Sequence, residues 1–121
     1  MFIKRFDDCR EFTAADNSIL REFLHPAKSE VKINYSLAHA TVLPHQKTRP
    51  HRLKTSEVYY ITAGCGVMHI DEESCEVGPR CAIYIPPGSK QYIENTGNSD
   101  LVFLCIVEPA WRPRDEEILG E

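Results

Sequence analysis

Short apolar runs broken by turn-forming residues set the pattern of this chain. Ile33 to Leu43 (INYSLAHATVL) alternates, with Ile33, Tyr35, Leu37, Thr41 and Leu43 on one face and the small Ser36, Ala38 and Ala40 on the other. That period of two predicts a strand, closed by Pro44. Glu57 to Ala63 (EVYYITA) is β-branched and aromatic, stops at Gly64-Cys65-Gly66 and resumes at Val67 to Asp71, which predicts two strands joined by a tight turn. Further strands are predicted at Ala82 to Ile85, Gln91 to Asn95 and Leu101 to Val107, each ended by Pro, Gly, Asn or a Glu-Pro step. Ser18 to Leu24 reads either as a short strand or as one helical turn, and His25-Pro26 ends it in both cases.

Six or more short strands with little helix predict an all-β fold, a small antiparallel sandwich or barrel. Residues 1–30 form an N-terminal arm packed on that barrel, residues 31–108 the barrel, and residues 109–121 a tail with Trp111 as its anchor. The run Leu101 to Val107 is apolar at all seven positions, so both of its faces need cover. One barrel covers only the inner face. The outer face is left either to a second copy, making a homodimer, or to the arm or tail.

Composition narrows the function. The 121 residues allow one domain, and 14 Lys and Arg against 18 Asp and Glu give a charge of −4. No basic stripe is available to neutralise phosphates, which argues against nucleic acid. No run approaches the ~20 apolar residues of a membrane helix, so no membrane partner is expected. The first residues (MFIKRFDDCREF) lack the apolar core of a signal peptide. Five cysteines, Cys9, Cys65, Cys75, Cys81 and Cys105, are an odd number without the close pairs of zinc or redox motifs. A reducing cytoplasm is the expected location, with Cys105 a buried small hydrophobe.

The stretch HQKTRPHRLKTSEVYYITAGCG, residues 45–66, together with PRCAIYIPPGSKQYIEN, residues 79–95, resembles the cupin superfamily. The first cupin motif runs Gly, five residues, His, one, His, three or four, Glu, six, Gly. His51, Leu53, Glu57 and Gly64 hold its second to fifth anchors at those spacings, while His45 stands at the opening Gly and Leu53 at the second metal-binding His. In the second motif, Pro86, Gly88 and Asn95 match; Arg80 replaces the opening Gly and Gln91 the His. The resemblance covers residues 31 to 108 and implies a jelly-roll barrel, or double-stranded β-helix.

It also implies a site. Metal-binding cupins direct three His and one Glu into the barrel, and the residues at those anchors here are His51, Glu57 and Gln91. One imidazole, one carboxylate and one amide oxygen suit a divalent ion such as Mn, Fe, Ni or Zn, with open positions for water or substrate. The resemblance implies a range, isomerases, decarboxylases, dioxygenases, lyases and sugar binders, within which the leading reading is a metal-dependent protein that binds or acts on a small sugar-like, carbonyl or enol compound, by isomerase-like or lyase-like chemistry if it is an enzyme. The alternative is a metal-free barrel that binds or senses a small molecule without turning it over. In a metal-free site, Glu57 among Leu53, Tyr59 and Ile61 would have its pKa raised by desolvation, as a general base requires. Strand parity sends Tyr59 and Ile61 inward with Glu57, and Ile93 and Asn95 inward with Gln91. Tyr59 is accordingly a second catalytic candidate. Of the other histidines, His69 is assigned to the surface or an interface, His39 to the cavity or a dimer contact, His45 to an exposed turn, and His25 to the cap before Pro26.

Overall fold

A computed structural model describes all of residues 1–121. It contains eleven strands: β1 (Glu11–Thr13), β2 (Ile19–Leu24), β3 (Ser36–Val42), β4 (His51–Leu53), β5 (Ser56–Ala63), β6 (Gly66–Ile70), β7 (Glu73–Val77), β8 (Ala82–Ile85), β9 (Gln91–Asn95), β10 (Leu101–Glu108) and β11 (Glu116–Ile118). The only helical segments are single 3-10 turns at Phe6–Asp8 and Pro113–Asp115. All strand pairs are antiparallel and build two sheets, a six-stranded one in the order β1-β2-β3-β10-β5-β8 and a five-stranded one in the order β11-β4-β9-β6-β7. Face to face, the sheets make the jelly-roll barrel.

Four strands, β1, β4, β7 and β11, go beyond those read from the sequence, and the open alternative in the arm is settled. Ser18 to Leu24 resolves as a strand: β2 pairs with β3 from Ile19↔Thr41 to Leu24↔Leu37, so part of the arm extends the larger sheet. The tail contributes β11, which pairs with β4 through Ile118↔His51 and Glu116↔Leu53. Finally, β7 (ESCEV) has almost no buried side chain and therefore no apolar alternation; its five backbone pairings with β6 hold it.

Alternation along β5 and β9 follows the expected parity. Glu57, Tyr59 and Ile61 are buried, whereas Val58 is half-buried and Tyr60 exposed. Gln91, Ile93 and Asn95 are likewise buried. On β3 the small face points inward, with Ser36, Ala40 and Val42 buried. The GCG turn needs its glycines: Gly64 has φ +82°, and a Cβ on Gly66 would collide with the Glu94 carbonyl oxygen.

Side-chain size falls along the central strands, and this gradient creates the cavity. At one end of the barrel Ile61, Ile85, Ile93, Leu101 and Phe103 are almost wholly buried against one another. Toward the other end β10 continues with Cys105 and Val107, opposite Ala38 and Ser36 of β3 and Tyr59 and Glu57 of β5. Smaller groups leave space that the larger ones fill at the packed end.

The outer face of β10 is only partly covered. Phe2, Phe23, Leu24 and Leu37 surround Leu104, while Ile106 is 38% exposed and Tyr60 and Tyr84 lie open on the neighbouring strands.

Candidate functional site

The space at the open end is a cavity of about 90 Å³, room for a few waters or a small ligand. Its walls come from both sheets and from both chain termini: Glu57 and Tyr59 from β5, His51 and Leu53 from β4, Asp16 from the β1–β2 connection, and Glu116 from β11. A wider cleft of about 630 Å³ lies outside the barrel, around His45, Lys47 and Arg49. Of the residues singled out by the sequence, His51, Glu57 and Tyr59 line the inner cavity, and Gln91 lies in the wall behind Glu57 and Tyr59.

Glu57, Gln91 and Tyr59 form a hydrogen-bonded chain. The Tyr59 hydroxyl donates to Gln91 Oε1 at 3.0 Å, and Gln91 Nε2 donates to Glu57 Oε1 at 3.0 Å. Gln91 has no exposed surface, Tyr59 almost none, and the Tyr59 ring packs on Phe103 with centroids 4.4 Å apart. Burial raises the Glu57 pKa to about 8; the Gln91 bond opposes the shift, and the charges of Asp16 and Glu116 add to it. Burial likewise pushes the Tyr59 phenol up, so it remains a donor. At neutral pH Glu57 therefore carries its proton, and its second oxygen has no hydrogen-bond partner in the protein. The desolvated carboxyl is there as expected, but the charge state makes it an acid rather than a base at pH 7.

His51 belongs to a different arrangement. Its Nδ1 lies 2.7 Å from the Arg49 carbonyl oxygen. A carbonyl only accepts, so Nδ1 carries a hydrogen and the neutral ring keeps its lone pair on Nε2. Nε2 makes no hydrogen bond to Glu57, Gln91 or Tyr59; it faces Asp16 Oδ2 at 3.7 Å. Asp16 is fixed in turn through Oδ1, which accepts from the Ser18 amide at 3.0 Å and the Ser18 hydroxyl at 2.6 Å. Glu116, the residue opposite Leu53, has its pKa raised by burial, with the His51 charge working the other way.

Asp16 and Glu116 are functional candidates that the sequence reading missed. The Asp-Asn-Ser run, with Asn17 at φ +76°, is a turn signal that marks the first; the sequence holds no comparable mark for the second. The remaining histidines lie elsewhere. His39 sits on the outer sheet face, edge-on to Phe6 at 4.8 Å. His69 stacks on Tyr92 and meets Glu94 at 2.8 Å. His45 reaches Asn98 at 3.0 Å from an exposed turn. His25 is buried and contacts the Trp111 carbonyl oxygen at 2.7 Å, which ties the arm to the tail.

A cupin-domain family model matches residues 38–107, more than half of the chain. The chain belongs to the cupin family. Protein MJ1618 of Methanocaldococcus jannaschii is 42% identical over 115 residues, which span 94% of this cupin and 91% of that protein. Among solved structures, the polyketide cyclase RemF of Streptomyces resistomycificus superposes with a TM-score of 0.82 at 19% identity, covering 100% of this chain and 87% of the other. The nucleoside dehydratase Pac13 of Streptomyces, known also in complexes of its variants with uridine, gives 0.79 at 16% identity and covers 99% and 92%. At these identities the two structures share the fold of this cupin.

The departures from the cupin motifs fall into two kinds. His45 and Arg80, which replace the two opening glycines, hold φ +63° and +70°, the left-handed backbone that glycine adopts most cheaply. Those substitutions keep the turns. Leu53 and Gln91, in contrast, change the donor set. Leu53 is a buried apolar wall of the cavity, and the Gln91 oxygen is already taken by Tyr59. No three His, Cys, Asp or Glu side chains of this cupin are grouped as ligands for a metal ion. The donor arrangement therefore does not fit a resident divalent cation. What it does offer is a neutral carboxyl as proton donor and an imidazole nitrogen as acceptor in one cavity.

Proposed function

We propose that this cupin is an enzyme that moves protons on a small organic molecule held in the barrel cavity, in an elimination or an isomerisation. His51 Nε2 takes a proton from carbon, and protonated Glu57 delivers one to the departing hydroxyl or to the carbonyl oxygen that becomes an enol. The Arg49 carbonyl fixes the imidazole tautomer, and Asp16 stabilises the imidazolium that forms. The observation that carries this reading is Glu57, a buried carboxyl raised to about 8 and open on one oxygen to the cavity. The dehydratase and cyclase among the structural neighbours are consistent with such chemistry.

The Lewis-acid route through a divalent ion at His51, Glu57 and Gln91 is the competing enzymatic reading, and the bonded Gln91 amide opposes it. Binding without turnover is the other reading; it is favoured by the Tyr59–Gln91–Glu57 chain, which ties Glu57 into the barrel wall. We further infer a homodimer formed through the outer face of β10, where Ile106 is exposed, and a reducing cytoplasm, which fits five free thiols.

The test follows hydrogen–deuterium exchange at the carbon next to the carbonyl of hydroxyacetone by proton NMR in deuterated water. The protein is expected to accelerate exchange, and His51→Gln and Glu57→Gln are each expected to slow it by about 100-fold. Exchange unchanged in both variants refutes the acid–base reading. Elemental analysis of the same sample separates the metal reading: stoichiometric metal that disappears in Gln91→Ala overturns the metal-free site.

A further inference from the structure

The charge of the cavity wall is one-sided. Asp16, Glu57 and Glu116 line it, and among the lining residues only His51 can carry a positive charge. Glu22, a fourth acid in the wall, is met by Lys28 at 2.9 Å. No Lys or Arg lines the cavity. Much of the remaining surface is aromatic, from Phe12, Tyr59, Phe103 and Trp111.

The wall also holds polar atoms left without a protein partner. His51 is 2% exposed, and its Nε2 makes no hydrogen bond. Glu57 is 7% exposed, with one oxygen bonded to Gln91 and the other free. Asp16 is 8% exposed, and its Oδ2 is 3.7 Å from the imidazole, too far for a hydrogen bond. These groups are oriented by their neighbours, yet each keeps one position open toward the same space. A ligand that supplies N–H or O–H donors completes His51 and Asp16, while the protonated Glu57 donates from its free oxygen.

Carboxyl groups beside aromatic faces suit a nitrogen cation. Its N–H groups make charge-assisted hydrogen bonds to carboxylates, and its charge is attracted by the ring faces. An anionic ligand finds no guanidinium or ammonium here to replace its hydration and faces the carboxyl groups of Asp16 and Glu116 instead. We propose that the molecule taken by this cavity is a small organic amine, its ammonium group held by Asp16 and Glu116 and its carbon skeleton lying against Trp111 and Phe12. The proposal rests on the reading of the barrel interior as the functional site and adds the charge of the substrate. It separates this cavity from one built for sugar phosphates or carboxylates, because the acids that set the preference come from the arm and the tail, outside the cupin motifs.

The experiment compares ethanolamine, ethylene glycol and glycolate, which share one skeleton and differ in charge, by isothermal titration calorimetry at pH 7 and low salt. Ethanolamine is expected to bind tighter than either of the others by about tenfold or more. Asp16→Asn and Glu116→Gln are each expected to remove that advantage, lowering the affinity for ethanolamine by more than the affinity for ethylene glycol. Because Asp16 also holds Ser18, circular dichroism checks each variant, and Glu116→Gln decides if Asp16→Asn does not fold. Glycolate or glycol binding as tightly as ethanolamine overturns the proposal. So does the absence of ethanolamine binding, or an amine preference that survives in Glu116→Gln. Amine binding without proton exchange on any carbonyl probe would retract the catalytic reading and leave this one standing. Exchange on hydroxyacetone with no amine preference would do the reverse.

Discussion

Replacing Glu57 with glutamine should make the fold more stable in alkaline solution while disabling the proposed chemistry. A free glutamate loses its proton near pH 4.5, and Glu57 in the folded protein loses it at about 8. Between those values the native state keeps a proton that the unfolded chain releases, so stability falls as pH rises. The contribution is fully present below pH 4.5 and is lost as pH passes through 8. At about 1.4 kcal/mol per pH unit, the ionised carboxylate costs the fold up to about 5 kcal/mol. Water entry and side-chain relaxation reduce this figure, which is therefore an upper bound. It is large beside the roughly 5–15 kcal/mol that holds a typical domain together. In the Glu57→Gln variant the new side chain keeps a carbonyl oxygen to accept from Gln91 Nε2 and never ionises. Urea denaturation of both proteins at pH 5, 7 and 9 measures the difference. The two should be nearly equal at pH 5, and the variant should gain progressively up to pH 9. The other acids of the cavity wall are common to both proteins, so most of their effect cancels. A difference that stays flat from pH 5 to 9 would show that Glu57 is not desolvated as described, and with it the assignment of Glu57 as a neutral-pH acid would fall.

Two further outcomes test the frame around the site. Arg80→Gly should raise stability by about 0.5–1 kcal/mol, seen as a higher melting temperature, because Arg80 is an exposed residue at φ +70° and its amide bond to the Ile61 carbonyl does not depend on the side chain; a lower melting temperature would contradict the strain argument. Light scattering should give twice the 13.8 kDa mass of one chain for the native protein and the single-chain mass for Ile106→Glu, whereas a native monomer would refute the dimer.

The strands that position Glu57 and Gln91 were legible because one face of each is buried and the other is not. Alternation in EVYYITA and QYIEN fixes which residues point inward, and the structure keeps that parity from Glu57 to Ile61 and from Gln91 to Asn95, losing it only at the exposed Ala63. Strands held mainly by backbone bonding leave no such trace. β7 is nearly all exposed, and β1 and β11 are edge strands of only three residues, too short to show alternation, so they read as loop, arm and tail. The same limit hid half of the candidate site. Asp16 and Glu116 come from those weakly patterned ends, and their meeting with His51 depends on β11 pairing with β4 and on Asp16 being fastened by Ser18. The motif spacing located His51 but carried no information about its partner.

The two changes in the donor set act together. An apolar Leu53 in place of an imidazole removes a ligand and also dries the wall near Glu57, which favours the protonated carboxyl. Gln91 in place of the other imidazole then serves the neutral acid well, since one amide both accepts from Tyr59 and donates to Glu57. With that carboxyl tied into the barrel wall, His51 is left free to face the acids of the arm and tail. With Leu53 and Gln91 at these two anchors, a protonated carboxyl thus stands on one side of the cavity and the imidazole faces the Asp16 carboxylate on the other. This division predicts that the arm and tail, rather than the motif residues, set which molecule the cavity selects.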